Sequence, residues 1–160
     1  IEKKSAMVDG IDINSEALDE AKKYYRKIFA QDLSAGNMDI ENESYDYIIF
    51  SDILEHLPRP DLILQNAKKY LKDDGQIIIS LPNVARLEIR LKLLFGKFDY
   101  WPGILSEDHL RFFTKKSALE MIKKCGYEIG DIIPTGFGHK IKIFPKLTAF
   151  QFIYICKKSL

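Results

Sequence analysis

Met7-Val8-Asp9-Gly10-Ile11-Asp12-Ile13-Asn14-Ser15 is the stretch on which the fold turns. An apolar strand from Met7 to Ile13 carries an acid, Asp12, near its end, and Asn14-Ser15 then open a helix. Such a run is the second half of a nucleotide-binding βαβ unit, in which the carboxylate grips ribose hydroxyls and a glycine-rich loop lies about 20 residues upstream. Only eleven residues precede Asp12, and none of the first nine is glycine. The expectation is a cofactor-binding domain that begins after its own first strand and glycine loop. A missing central strand would leave the edges of its neighbours open.

Outward from this stretch, strand and helix signals alternate, which predicts an α/β fold: a doubly wound, mainly parallel sheet with helices on its faces. Ser15 is the expected N-cap of a helix reaching Ile28, with acids near its start and Lys22, Lys23, Arg26 and Lys27 toward its end. Ile28 to Ala30 reads as a short strand and residues 34–44 as a polar loop. Tyr45 to Ser51 is a near-continuous apolar strand, the pattern of a strand covered on both faces. Asp61 to Leu71 has helical spacing, Asp73-Asp74-Gly75 reads as a turn, and Gln76 to Leu81 is the next buried strand.

Residues 84–95 form a basic amphipathic helix with Leu87, Leu91 and Leu94 on one stripe. A lid or covering helix is favoured there over a membrane-surface element. Phe98 to Leu105 is an aromatic loop. Thr114 caps a helix through Lys124, and Gly126 ends it. Tyr127 to Ile133 and Phe150 to Cys156 are expected to pair antiparallel, with Gly136-Phe137-Gly138 as a turn between them. The whole of residues 1–160 reads as a single, N-terminally incomplete domain with a lid or acceptor-side insertion around 84–113.

Composition narrows the function classes. The chain has 160 residues, 46% hydrophobic and 29% charged, with a net charge of +1, as in an ordinary globular domain. Balanced charge, with no basic stripe with interleaved aromatics beyond residues 86–101, argues against nucleic acid as a partner. No apolar run approaches the roughly 20 residues of a membrane span, and the N-terminus does not read as a signal peptide. Cys125 and Cys156 lie far apart and read as buried thiols of a cytoplasmic protein. With three histidines and no paired-carboxylate or Cys/His spacing, no metal site is expected. Oligomeric state is not legible.

Five segments in order resemble the class I S-adenosylmethionine-dependent methyltransferases, whose fold is Rossmann-like. Gly10-Ile11-Asp12-Ile13-Asn14 resembles the second strand and ribose-binding acid of that family. Gln31-Asp32-Leu33 is similar to the segment after its third strand, and Tyr45 to Leu57 to its fourth strand and following loop. Gly75 to Asn83 resembles the fifth strand. Asp108-His109-Leu110-Arg111-Phe112-Phe113-Thr114 is similar to a subgroup of small bacterial methyltransferases linked to cell-surface sugar or lipid-intermediate pathways.

The resemblance implies S-adenosylmethionine as cofactor, S-adenosylhomocysteine as product and a small-molecule acceptor. It places Asp12 and Ile13 at the ribose, Asp32 at the adenine amine with Leu33 supplying a backbone N–H, and Ser51 and Asp52 along the cofactor pocket. His56 is a candidate general base, since a pKa of about 6.5 suits proton transfer near neutrality, and His109 is a second. The competing reading ties Glu55 and His56 into the loop structurally. Tyr100 and Trp101 would stack on an acceptor and Arg111 would clamp an anionic group; alternatively His109 and Arg111 brace the lid. Two other functions fit fewer features: a non-catalytic binding module without the glycine loop, and a nicotinamide-dependent oxidoreductase using Asp12 on the ribose.

Overall fold

The computed structural model describes residues 7–40, 45–100, 103–136 and 144–159. Its first unit is β1 (Asp9–Asp12), α1 (Ser15–Ala21) and β2 (Lys27–Ala30), with the two strands parallel and Asp12 opposite Ala30. The helix is shorter than expected and passes into a 3₁₀ turn at Lys22–Tyr24. Its N-cap is Asn14 rather than Ser15: Asn14 Oδ1 accepts from the amides of Glu16 and Ala17 at 3.0 and 3.1 Å. Asp12 Oδ1 in turn accepts from Asn14 N at 2.8 Å, so acid and cap form successive turns at the end of β1.

The second unit is a four-stranded sheet in the order β3 (Tyr45–Ser51), β4 (Leu71–Pro82), β6 (Gln151–Lys158), β5 (Tyr127–Pro134). β3 and β4 are parallel, and β6 runs antiparallel to both β4 and β5. The expected antiparallel pair at the end of the chain is therefore present, with its later strand inserted against β4. β4 starts earlier than the sequence suggests. Asp73-Asp74-Gly75 lies inside it, at the register shift that sets Tyr45 opposite Leu71 but Tyr47 opposite Gln76.

Between these sits α2 (Pro60–Ala67), followed after β4 by α3 (Leu87–Leu94), α4 (Lys115–Lys124) and a short α5 (Pro145–Thr148) that the sequence did not suggest. α4 starts as expected, with Thr114 and Ser117 in a reciprocal capping box. Gly126 follows it at φ +79, a left-handed position that glycine adopts without strain.

One core joins both units. Ile11 of β1, with Leu33 and Met38 from the segment after β2, packs with Phe50, Ile77, Ile79, Phe152, Tyr154 and Tyr127 on one sheet face, beneath Ile63, Leu64, Ala118 and Ile122 of α2 and α4. The other face is barer. Tyr47 and Ile49 of β3 are 59% and 62% exposed, so the expected cover on both sides of this strand is missing among the described residues. β1 and β3 belong to separate sheets and each has one hydrogen-bonded neighbour there. The Tyr45 hydroxyl spans the two sheets, donating to Asp9 Oδ2 at 2.9 Å.

The basic helix also differs from its expected form. It covers Leu87–Leu94, and the side chain it buries is Ile89, against Ile104, Leu105 and Val84. Leu87, Leu91 and Leu94 face solvent. The leucine spacing describes a stripe that the described residues leave uncovered; the loop packs against the opposite side. No described helix is long and apolar enough to cross a membrane.

Candidate active site

Three strand ends carry the candidate acids. Asp12 closes β1, and Asp32 follows β2, where its Oδ1 accepts from Ser34 N at 2.8 Å and caps a 3₁₀ turn at Leu33–Ala35. Hydrogen bonds from Ser34 hold the Asp32 carboxyl below its ordinary pKa. Both acids are exposed, as is Ile13, while the Leu33 side chain anchors the turn in the core. The parallel register of β1 and β2 brings Asp12 and Asp32 to the same end of that unit.

Ser51 and Asp52 close β3, with Ser51 opposite Ser80 of β4. Asp52 has φ +51, a left-handed conformation uncommon for a side chain other than Asn, Asp or Gly. Ser80 pins it there: Asp52 N donates to Ser80 Oγ at 3.0 Å, and that hydroxyl donates back to Asp52 Oδ1 at 2.9 Å. Nothing local in the sequence marks Ser80; its role follows from the register of β3 on β4.

The chain then turns through a 3₁₀ segment, Leu54–His56. Leu54 is fully buried and Glu55 is 1% exposed. The Glu55 carbonyl accepts from the amides of both Leu110 and Arg111, at 2.9 and 3.0 Å. Those two bonds carry the 108–114 segment onto the loop after β3 and set His56 and His109 edge to face, with ring centroids 4.7 Å apart. Each imidazole places Nδ1 on a carbonyl: His56 on Asp108 O at 3.1 Å, His109 on Ile104 O at 3.0 Å. A carbonyl only accepts, so Nδ1 carries the hydrogen and Nε2 is the basic nitrogen in the neutral rings.

Glu55 is the residue that sequence reasoning undervalued. Neither carboxylate oxygen takes a hydrogen bond from any other described residue. Burial, opposed by the residue's own backbone amide and reinforced by the nearby Asp52 charge, pushes its pKa up to about 7.

The acceptor-side candidates are less gathered. Arg111 directs Nε and Nη2 to the Pro58 carbonyl at 3.2 and 2.5 Å, so its fork braces the loop in this structure. Tyr100 is 54% exposed and meets Phe98 edge to face, and Phe98 meets Phe112 in the same way. Trp101 lies outside the described residues, as do Phe137, Gly138 and His139.

Strand-end acids, a two-sheet α/β core and a histidine-bearing loop can now be set beside known proteins. A family model described as a methyltransferase domain matches residues 2–131. The chain belongs to the methyltransferase domain family. The domain is 31% identical over 145 residues to a protein of Haemophilus ducreyi named ubiquinone biosynthesis O-methyltransferase, covering 79% of this chain and 61% of that protein. A protein of the same name from Glaesserella parasuis is 33% identical over 87 residues, 49% of this chain and 37% of that one. The methyltransferase domain thus spans less than two thirds of the length of these relatives. Among solved structures, an S-adenosylmethionine-dependent methyltransferase from Clostridium acetobutylicum superposes with a TM-score of 0.70 at 16% identity, over 97% of this chain and 76% of that one. At that identity the likeness speaks for the class I, Rossmann-like methyltransferase fold.

Proposed function

We propose that this domain takes part in transfer of a methyl group from S-adenosylmethionine to a nucleophilic atom of a small molecule, a class that includes glycan and lipid intermediates. The observation that carries the reading is the placement of Asp12, Asp32 and Asp52 at or just beyond the carboxyl ends of β1, β2 and β3, where open α/β sheets hold their ligands. The residues fit the cofactor. Asp12 is an exposed carboxylate fixed by its bond from Asn14 N and suits a ribose diol, with Ile13 beside it. Asp32, exposed and fixed by Ser34, suits the adenine amine, with the Leu33 backbone beside it. Ser51 and Asp52, at the carboxyl end of β3 in the neighbouring sheet, are the next candidates along the cofactor.

Bound S-adenosylmethionine supplies a methyl carbon already activated by the positive sulfur that carries it. What remains for the chain is to align the acceptor and exclude water. His56 and His109 present Nε2 as the atoms able to hold or take an acceptor proton, a contribution typically about 10²–10⁴-fold. Tyr100, Trp101 and Arg111 belong to the segment that would receive the acceptor. The names of the two relatives support an oxygen atom as the nucleophile. The reading places the domain in the cytoplasm.

Calorimetric titration with S-adenosylhomocysteine tests this. The expected result is one-site binding that Asp12→Ala weakens at least tenfold, since a lost charged hydrogen bond costs about 1.5–3 kcal/mol. Unchanged affinity in that variant would overturn the cofactor assignment. Binding of NADH in place of S-adenosylhomocysteine would overturn the reaction class.

A further inference from the structure

We propose that Glu55, His56 and His109 form a binding site for one divalent first-row transition-metal ion of the Mn²⁺, Co²⁺ or Zn²⁺ kind. The inference starts from a carboxylate that lacks partners. Glu55 is 1% exposed, and neither carboxylate oxygen takes a hydrogen bond from any other described residue. Burial of a carboxylate in that condition is costly unless something positive or donating meets it. Loose placement is not the reason, because the Glu55 carbonyl is held by two amides of the 108–114 segment.

What meets it is a pair of imidazoles. One ring nitrogen of His56, one of His109 and one Glu55 carboxylate oxygen all lie within 4.8 Å of one another. Ligands bonded to one ion at about 2.0–2.2 Å stand roughly 3–3.5 Å apart, so the three side chains have to draw closer together to close on an ion. The rings are already in a ligating tautomer. With Nδ1 of each ring on a carbonyl, Nε2 keeps its lone pair, and the carbonyl is the outer partner that orients a metal-binding histidine. A purely structural cluster would pair the carboxylate with an imidazole N–H. Here neither oxygen of Glu55 is bonded to either ring.

The donor set selects the ion. Two imidazoles and one carboxylate favour Mn²⁺, Co²⁺ or Zn²⁺ over Mg²⁺ and Ca²⁺, which prefer all-oxygen shells. Three protein ligands leave further positions open, on the loop that follows Asp52. If the methyl-transfer reading holds, an acceptor oxygen is the group to fill one of them, and the bound ion would then favour loss of the acceptor proton in place of the two Nε2 atoms, which have become its ligands. Cation binding itself does not depend on that reading.

Two linked measurements decide the matter. Chelator-treated, tag-free protein is titrated with Zn²⁺ by calorimetry and with Co²⁺ by visible absorbance. The expected result is one ion per chain, with visible Co²⁺ bands and affinity reduced about tenfold or more in both Glu55→Gln and His109→Gln. His139→Gln, which alters the remaining histidine, is expected to leave binding unchanged. Circular dichroism confirms that each variant is folded; Glu55→Gln keeps the side-chain shape and removes the buried charge. Absence of saturable binding, or equal affinity in wild type and both variants, would overturn the site. Titration with S-adenosylhomocysteine on the same samples reads the cofactor site separately, so failure of one reading is distinguishable from failure of the other.

Discussion

Ser80 and Asp52 exchange two hydrogen bonds across the β3–β4 pair. The Asp52 amide donates to Ser80 Oγ at 3.0 Å, and the Ser80 hydroxyl donates to Asp52 Oδ1 at 2.9 Å. This pairing holds Asp52 at φ +51 and so decides how the loop carrying Glu55 and His56 leaves the sheet. Ser80 is 6% exposed, and replacing it by alanine removes both bonds while leaving the Asp52 amide without its partner. Ser80→Ala is expected to cost about 1–3 kcal/mol, read as a lowered midpoint in denaturant. It is also expected to weaken S-adenosylhomocysteine binding severalfold by calorimetry. A loss of stability with cofactor affinity intact would remove Asp52 from the cofactor edge.

Local signals were legible where a residue acts on its near neighbours. Thr114 caps α4 and Gly126 takes the left-handed turn after it, because capping and positive φ are settled within a few residues. The two final strands pair antiparallel as their patterns suggest. Properties set by distant partners were not legible. His56 and His109 meet because two amides from the 108–114 segment reach the Glu55 carbonyl, and no spacing rule contains that contact. The bare face of β3 at Tyr47 and Ile49 is likewise invisible to hydropathy, which reports that a side chain is apolar and not whether anything covers it.

Helix α3 gives a direct contrast between pattern and packing. Ile89 is 2% exposed and packs with Ile104, Leu105 and Val84, whereas Leu94, on the stripe that the sequence emphasises, is 76% exposed. Ile89→Ala is expected to destabilise by about 2–4 kcal/mol, the usual cost of truncating a buried isoleucine. Leu94→Gln is expected to stay within about 0.5 kcal/mol, as exposed substitutions do. Chemical denaturation of the two variants checks both values. A large loss at Leu94 would mean that the leucine stripe packs against something in solution.

Asp9 ties the first unit to the second, and its ionisation sets an acid limit on that link. Its side chain is 3% exposed, meets the Arg26 guanidinium through both oxygens, and accepts from the Tyr45 hydroxyl and the Lys27 amide. The Arg26 hydrogen bonds, together with that from Tyr45, hold the Asp9 carboxyl below its ordinary value of 3.8. A carboxyl whose folded pKa is depressed binds its proton more readily when unfolded. It therefore contributes stability that is present above the unfolded value and lost as pH falls through the folded one. Unfolding midpoints measured from pH 6 down to pH 2.5 are expected to drop below about pH 4 in the wild type, near the carboxylate range. In Asp9→Asn the midpoint starts lower at pH 6, because the ion pair is gone, and falls less steeply on acidification. Parallel curves for the two proteins would show that Asp9 does not carry the acid sensitivity of the β1–β2 unit.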